Sequence, residues 1–257
     1  MLLSIASLRG SPGVTTTALV AARVAAGKGF DVTLVEADSD GGYLSKLLYG
    51  LKPDVGLATL SAEASQNPDA SVADHTQPLE KGSSVEVLIA PNSQKTTVRM
   101  IDVSLSSIMH YAASHPQRLT IVDCGRLAGA ASYLFDEADT RWLLTPGDHA
   151  SILSLRDLMQ GRGEDFARIQ VFVRGGPYEA SDLPEVGVTN AEDLPDAPKV
   201  AEAARGTRQV SPRKFRKSSL AKAVLQALPE LTATQKLEGK GASRSKEGSS
   251  TVALDAG

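Results

Sequence analysis

Short apolar runs alternate along the chain with longer segments whose apolar residues recur at helical spacing. The runs are continuous and do not alternate with polar residues, which is typical of strands buried on both faces of a parallel sheet. Each intervening segment is long enough to hold a helix. The pattern therefore predicts an α/β fold, with a doubly wound, mostly parallel sheet and helices on both faces. The predicted strands are residues 2–8, 32–35, 85–90, 119–123, 142–145 and 169–173.

The apolar pattern fades near the C-terminus. Residues 231–257 are small, polar and rich in glycine and serine, so they cannot bury enough apolar surface to offset the entropy of ordering. We therefore predict one domain over residues 1–230 and a disordered polar tail over 231–257. Just before the tail, residues 217–228 read as an amphipathic helix. We expect its apolar side to pack on the domain and not on a membrane.

Composition excludes several functional classes. The 257-residue chain has 27 Lys and Arg against 30 Asp and Glu, a formal charge of −3, which excludes a uniformly polybasic nucleic-acid coat. A single cysteine, Cys124, excludes internal disulfides, iron–sulfur carriers and thiol oxidoreductases. No apolar run is long enough to span a bilayer, and the first residues do not read as a secretion signal. We therefore expect a cytoplasmic protein without a membrane partner.

The near-neutral total conceals a polarised C-terminal third. Residues 179–196 hold six carboxylates and no base, whereas residues 203–229 hold seven bases and no acid. The basic segment could neutralise DNA phosphates without sequence preference, or it could pair with the acidic segment as a solvated surface. Both interpretations fit the sequence. The candidate DNA contacts are Arg205, Arg208, Arg213, Lys214, Arg216 and Lys217.

The turn after the first predicted strand reads R-G-S-P-G-V-T-T over residues 9–16 and leads directly into a helix. Glycines let backbone N–H groups converge there, the helix N-terminus adds positive charge, and a hydroxyl can bind magnesium. This predicts a phosphate-binding loop. Val14 stands where G-K-[ST] loops carry lysine, a loss that should weaken triphosphate binding at least about tenfold. Alone, the segment fits a plain tight turn equally well.

Residues 7–42 resemble the opening of the MinD/ParA/CpaE group of P-loop ATPases, which has a deviant Walker A loop. The resemblance implies that Arg9 replaces a lysine that crosses a homodimer to the partner's nucleotide, and that Thr15 keeps the magnesium-side hydroxyl. The loop is degenerate because Ser11 and Val14 replace a glycine and the phosphate-binding lysine. The implied cofactor-binding residues are Arg9, Gly10, Ser11, Pro12, Gly13, Val14, Thr15 and Thr16.

Two further segments carry the resemblance, which covers about residues 1–230. Asp38, in VEADSD, resembles the switch aspartate that orients the attacking water, and it would be catalytic if the protein is active. Asp123, in LTIVDCG, resembles the Walker B aspartate, which with Thr15 would hold Mg²⁺. Acidic turns and strands ending in aspartate are common, so the order and spacing of the motifs carry the argument. The implied cofactors are ATP and Mg²⁺, and the implied partners are a second copy and an unidentified protein.

Three hypotheses follow for function. The first, favoured by Val14, is a degenerate positioning or assembly factor for chromosome partitioning, division-site selection or pilus and secretion assembly, with weak or lost ATP binding. The second, favoured by Thr15, Asp38 and Asp123, is an active ATPase dimer in which Arg9 or another base such as Lys46 supplies the missing charge. The third, which rests on the basic segment, is a non-specific DNA-binding module.

Overall fold

The computed structural model describes residues 1–9, 12–67, 69–115 and 117–229, whose strands form one sheet. In chain order these strands are β1 (Leu2–Ser7), β2 (Asp31–Glu36), β3 (Gln77–Pro78), β4 (Val85–Leu88), β5 (Arg118–Arg126), β6 (Thr140–Pro146), β7 (Ile169–Arg174) and β8 (Ala191–Asp193). Their spatial order is β3-β4-β2-β5-β1-β6-β7-β8. Only the β3–β4 pair is antiparallel within these ranges.

Helices connect the strands and cover the sheet. The α-helices of the described ranges are α1 (Val14–Ala26), α2 (Leu44–Leu47), α3 (Leu57–Ala64), α4 (Gln94–Ser114), α5 (Ala130–Asp136), α6 (His149–Arg162), α7 (Pro198–Ala204), α8 (Pro212–Arg216) and α9 (Ser219–Ala227). Short 3₁₀ helices lie at Val72–His75, Gly163–Arg168 and Ala180–Val186. No helix in the described part of the chain is long and apolar enough to cross a membrane.

Two apolar cores lie on opposite faces of the sheet because successive strand residues point to opposite sides. On β1, Leu3 and Ile5 join the core beneath α1, α7, α8 and α9, whereas Leu2 and Ala6 join the core beneath α3, α4, α5 and α6. Cys124 on β5 is fully buried in the second core, and burial raises the pKa of its thiol. Strands buried on both faces explain why the runs in the sequence are continuously apolar.

The predicted doubly wound sheet is confirmed, and all six predicted strands are present. The sequence missed β3 and β8, which lie at the two edges of the sheet. The predicted final helix is α9, which packs against α1 through Leu220, Ala221 and Val224. The predicted tail, residues 231–257, lies outside the described residues, so the proposed domain boundary stays a prediction.

The order of the strands places a crevice above β1. From β1 the chain passes through α1 to β2 on one side, and from β5 it passes through α5 to β6 on the other. Parallel α/β sheets bind ligands at such a switch point, outside the carboxyl ends of the strands. Here that edge carries the turn before α1, the turn after β2 and the end of β5.

Candidate functional site

A pocket of about 490 Å³ lies at the carboxyl edge of the sheet, where the switch point predicts it. It is bordered by the first turn of α1, the turn after β2 and the end of β5. The structure therefore brings the predicted loop and the predicted switch aspartate together. The lining residues that matter here are Thr15, Thr16, Asp38, Lys46, Arg126 and Arg205.

The described part of the loop depends on Gly13. Its φ of 93° lies in the left-handed region, and it starts α1. A β-carbon at this position would also meet the guanidinium end of Arg174, a flexible side chain that can shift, so the positive φ is the main reason for glycine. The preceding residue, Pro12, is buried. Gly10 and Ser11, which were also predicted to bind the nucleotide, lie outside the described residues.

The loop position that lacks lysine is used for packing. Val14 is only 5% exposed and belongs to the same core as Ile5 and Ala18. Arg9, one predicted substitute for the lysine, is exposed and does not line the pocket. Its charge instead acts on Asp148, whose pKa is lowered mainly by hydrogen bonds from Ser151. Lys46, the other named substitute, does line the pocket.

Asp123 lies on β5 opposite Glu36 of β2 and is 1% exposed. Its Oδ1 accepts the N–H of Gly125 at 3.1 Å, but its Oδ2 has no hydrogen-bond partner among the described residues. Burial raises the pKa of this carboxyl to about 7, and the nearby Glu36 and Asp38 charges add to the effect. The Thr15 hydroxyl lowers the pKa in part, so it lies close to the carboxylate.

This arrangement fits a magnesium ion. A buried carboxylate oxygen without a partner is costly unless something binds it, and Mg²⁺ prefers hard oxygen ligands. Thr15 and Asp123 would supply two such ligands. In nucleotide sites Mg²⁺ needs few protein ligands because phosphates and waters complete its octahedron. The described residues accordingly contain no group of three or more His, Cys, Asp or Glu side chains that could hold a metal by themselves.

Asp38 borders the same pocket from the turn after β2. Its Oδ1 accepts the N–H of Asp40 at 2.9 Å, and burial is the main cause of its raised pKa. Gly125 packs directly on it, since a β-carbon at Gly125 would collide with the Asp38 carboxylate. Asp40 in turn pairs with Arg126 at 3.1 Å. The ends of β2 and β5 are thus fitted to each other around Asp38.

Glu36 is a structural residue that the sequence reasoning missed. It is 1% exposed, and its carboxylate accepts the backbone N–H groups of Tyr43, Leu44 and Ala90 at 2.5, 2.7 and 2.8 Å. Burial raises its pKa, and these hydrogen bonds oppose the shift. The contacts fix the turn that carries Asp38. An acidic residue ending an apolar strand, two positions before Asp38, was the available signal.

Arg174, at the end of β7, was also missed. Its Nη1 donates to the carbonyl oxygen of Pro12 at 3.1 Å, and its Nε donates to Asp196 at 3.1 Å. The side chain is 18% exposed. No motif marks this arginine in the sequence, because its contact with the loop joins residues 162 positions apart.

The six candidate DNA contacts lie in different environments. Arg205 lines the pocket, and Arg208 pairs with Glu202 at 3.2 Å. The other four, Arg213, Lys214, Arg216 and Lys217, are exposed on and beside α8. Among the described residues no ion pair joins the segment 205–222 to the acidic segment 179–196, so the suggested pairing of the two segments is not observed there.

Solved structures with the same architecture include a ParA family ATPase from Chlorobium tepidum TLS, at a TM-score of 0.70 and 18% identity over 88% of this chain and 96% of that one. MinD from Pyrococcus horikoshii OT3, complexed with Mg-ADP, matches at 0.66 and 14% identity over 88% and 93%. A variant of Cyanothece McdA in complex with ATP matches at 0.63 and 16% identity over 90% and 98%. No family model and no curated protein matches the chain.

The fold is therefore that of the ParA and MinD ATPases, as the sequence resemblance predicted. The similarity extends over nearly the whole of those chains. Identities below 20% carry the fold and nothing finer.

Proposed function

We propose that this protein is a ParA/MinD-type positioning or assembly factor. Its pocket binds a magnesium nucleotide with reduced affinity and hydrolyses it slowly or not at all. In this proposal Thr15 and Asp123 hold the ion, and the backbone of the loop before α1 receives the phosphates. Asp38 orients water in any residual hydrolysis. Bound magnesium would neutralise phosphate charge.

One observation carries the proposal. The buried Oδ2 of Asp123 has no partner among the described residues, and the carboxylate lies beside Thr15, which lines a pocket of nucleotide-compatible size. A carboxylate in such a position costs stability, and a cation would offset that cost. Val14 is the reason to expect reduced affinity, because its side chain packs in the core and supplies no charge.

The wider role follows from the fold relatives. One similar structure is a complex of MinC with MinD from Aquifex aeolicus, and another is a plasmid partition protein from Borrelia burgdorferi B31 bound to AMPPNP. By analogy we propose a cytoplasmic protein that forms a homodimer and acts with a protein partner. Chromosome partitioning, division-site selection and pilus or secretion assembly are the processes that fit.

The test is a titration of the purified protein with a fluorescent ATP analogue, in Mg²⁺ and in EDTA. We expect measurable binding that weakens when magnesium is removed. Thr15→Val should weaken the Mg²⁺-dependent part at least about tenfold, because the ion loses a ligand. Thr17→Val is the matched control, since the Thr17 hydroxyl is buried without a partner in the described residues. Equal affinity with and without magnesium would contradict the proposal.

A second candidate function is non-specific DNA binding through the bases around α8. Arg213, Lys214 and Lys217 border one surface concavity of about 530 Å³, and no acid pairs with them in the described ranges. Retention on DNA should fall steeply between about 50 and 200 mM salt. The double variant Arg213→Glu, Lys214→Glu should abolish it, whereas Arg156→Glu on α6 should not. Salt-independent retention would exclude this function.

A further inference from the structure

The phosphate side of the pocket lacks the positive charge that position 14 would normally supply. Basic side chains lie nearby, but they differ in their relation to the loop. Arg9 is exposed and outside the pocket, whereas Lys46, Arg126 and Arg205 line it. Of the basic side chains in the described ranges, only that of Arg174 hydrogen-bonds the backbone of Pro12–Thr16.

Arg174 is held close to the loop from two directions. Its Nε donates to Asp196 and its Nη1 donates to the Pro12 carbonyl, each at 3.1 Å. The guanidinium also packs so closely on Gly13 that any β-carbon there would overlap it. Arg174 does not itself line the pocket, but its guanidinium touches Gly13, which does. Its two hydrogen bonds to described residues use Nε and Nη1, and a guanidinium carries five N–H donors in all.

We propose that Arg174 is the phosphate-binding cation of this pocket, taking over from β7 the role of the lysine missing at position 14. The ligand would be the phosphate groups of a nucleoside di- or triphosphate. This inference rests on the proposed nucleotide-binding function. Asp123 supports that function independently, because its Oδ2 is buried, has no partner among the described residues and lies close to Thr15, which lines the pocket.

The chemistry explains why the charge comes from another strand. A planar guanidinium needs more room than a lysine ammonium, and position 14 is buried in the core. From β7 the side chain reaches the loop from outside and meets it at a glycine. Asp196 binds the Nε edge of the Arg174 guanidinium, so the other edge of the guanidinium can form charge-assisted hydrogen bonds to phosphate oxygens. The Pro12 carbonyl is the partner that a phosphate would replace.

The test measures affinities for a fluorescent ATP analogue and for ADP, both with Mg²⁺, across a set of variants. Arg174→Met keeps the aliphatic stem and removes the charge, and we expect it to weaken both ligands at least about tenfold. Arg174→Lys should recover part of the loss. Arg156→Met, at an exposed ion pair on α6, is the matched control and should bind like the wild type. Thermal unfolding verifies that each variant is folded.

A double-mutant cycle separates charge supply from a merely structural role. Val14→Lys restores a cation at the ordinary position, with Val14→Met as its uncharged control. We expect Val14→Lys to recover the affinity lost in Arg174→Met, and to add less in the wild-type background than in the variant. Equal gains in both backgrounds, or wild-type affinity in Arg174→Met, would overturn the inference. So would a loss in Lys46→Met without one in Arg174→Met.

The two proposals fail in different ways. If the wild type binds no nucleotide under any condition, the proposed function fails and the inference fails with it. If the wild type binds magnesium nucleotide and Thr15→Val weakens it, but Arg174→Met does not, only the role of Arg174 is rejected.

Discussion

The two sides of the pocket differ in what their residues do for the folded protein. On the side proposed to bind magnesium, the Asp123 carboxyl is buried with a raised pKa and with an oxygen that has no partner among the described residues, a state that costs stability. On the phosphate side, Val14 is buried in the apolar core and adds stability. The magnesium side therefore has the physical character of a ligand site, and position 14 has that of a packing site. The predictions below test this contrast, from the largest expected effect to the smallest.

The largest effect is expected for Asp123→Asn in metal-free buffer. Because the pKa of Asp123 is raised to about 7 in the folded protein, the folded state holds the proton more tightly than the unfolded state. Wild-type stability should therefore fall as pH rises from about 4 to 7. At pH 8 the variant should be more stable by up to about 4 kcal/mol, and the gain should vanish near pH 4. Urea denaturation measures both values.

The control for this experiment is Asp54→Asn at an exposed position, which should change stability little at either pH. A wild type that is as stable as Asp123→Asn at pH 8 would mean that the burial of Asp123 carries no cost. The contrast between the two sides of the pocket would then be lost.

The next effect compares glycines on the two sides. Gly125→Ala forces a β-carbon into the Asp38 carboxylate at a φ of 55°, and we expect a loss of about 3 kcal/mol. Gly13→Ala meets only the end of a flexible arginine side chain, so about 2 kcal/mol is expected. Gly29→Ala has the same kind of φ but open space around it, and should cost about 1 kcal/mol. Chemical denaturation ranks the three, and a loss in Gly125→Ala no larger than that in Gly29→Ala would contradict the fit of Gly125 to Asp38.

A smaller effect tests whether position 14 is a packing site. Val14→Ala removes two methyl groups from the core and should lower the free energy of unfolding by about 2 kcal/mol. Val103→Ala, at a side chain that is 39% exposed, is the control and should cost well under half as much. Unfolding free energies come from urea titrations. An unchanged stability in Val14→Ala would show that the valine does not contribute to packing.

The smallest effect concerns the ion pair between Arg126 and Asp40 at the rim of the pocket. Both side chains are about half exposed, and exposed pairs contribute less than about 1 kcal/mol. Arg126→Gln should therefore lower stability by about 0.5 kcal/mol or less, and added salt should erase the difference. Thermal unfolding in low and high salt gives the answer. A loss of several kcal/mol would mean that this pair, and not the backbone anchored by Glu36, holds the turn after β2.

The sequence predicted those parts of the fold that depend on continuous apolar runs. Six strands are buried on both faces, which leaves a local pattern in the chain. The two missed strands leave none, because β3 has two residues, one of them proline, and β8 is the polar tripeptide Ala191–Asp193. Their pairing depends on the strands beside them in the sheet, so their own residues carry no recognisable strand pattern.

Prediction of the site was limited in the same way. Thr15, Asp38 and Asp123 each follow or end a predicted strand, and the shared edge of a parallel sheet brings them together. Arg174 acts across 162 positions, which no local spacing reveals. Among the described residues no ion pair joins the acidic and basic segments, and several of the acids have other partners. Asp196 binds Arg174, and Asp182 and Asp193 accept backbone N–H groups of their own segment.

The lone cysteine gives the site strand a built-in reporter. Cys124 follows Asp123 directly, is fully buried and has a raised thiol pKa, so a thiol reagent reaches it only when β5 leaves the sheet. The rate of alkylation then measures the opening of the strand that carries Asp123, the proposed magnesium ligand, with one label per chain. A bound magnesium nucleotide would lower the alkylation rate. A ligand that binds elsewhere on the surface without stabilising β5 would leave the rate unchanged.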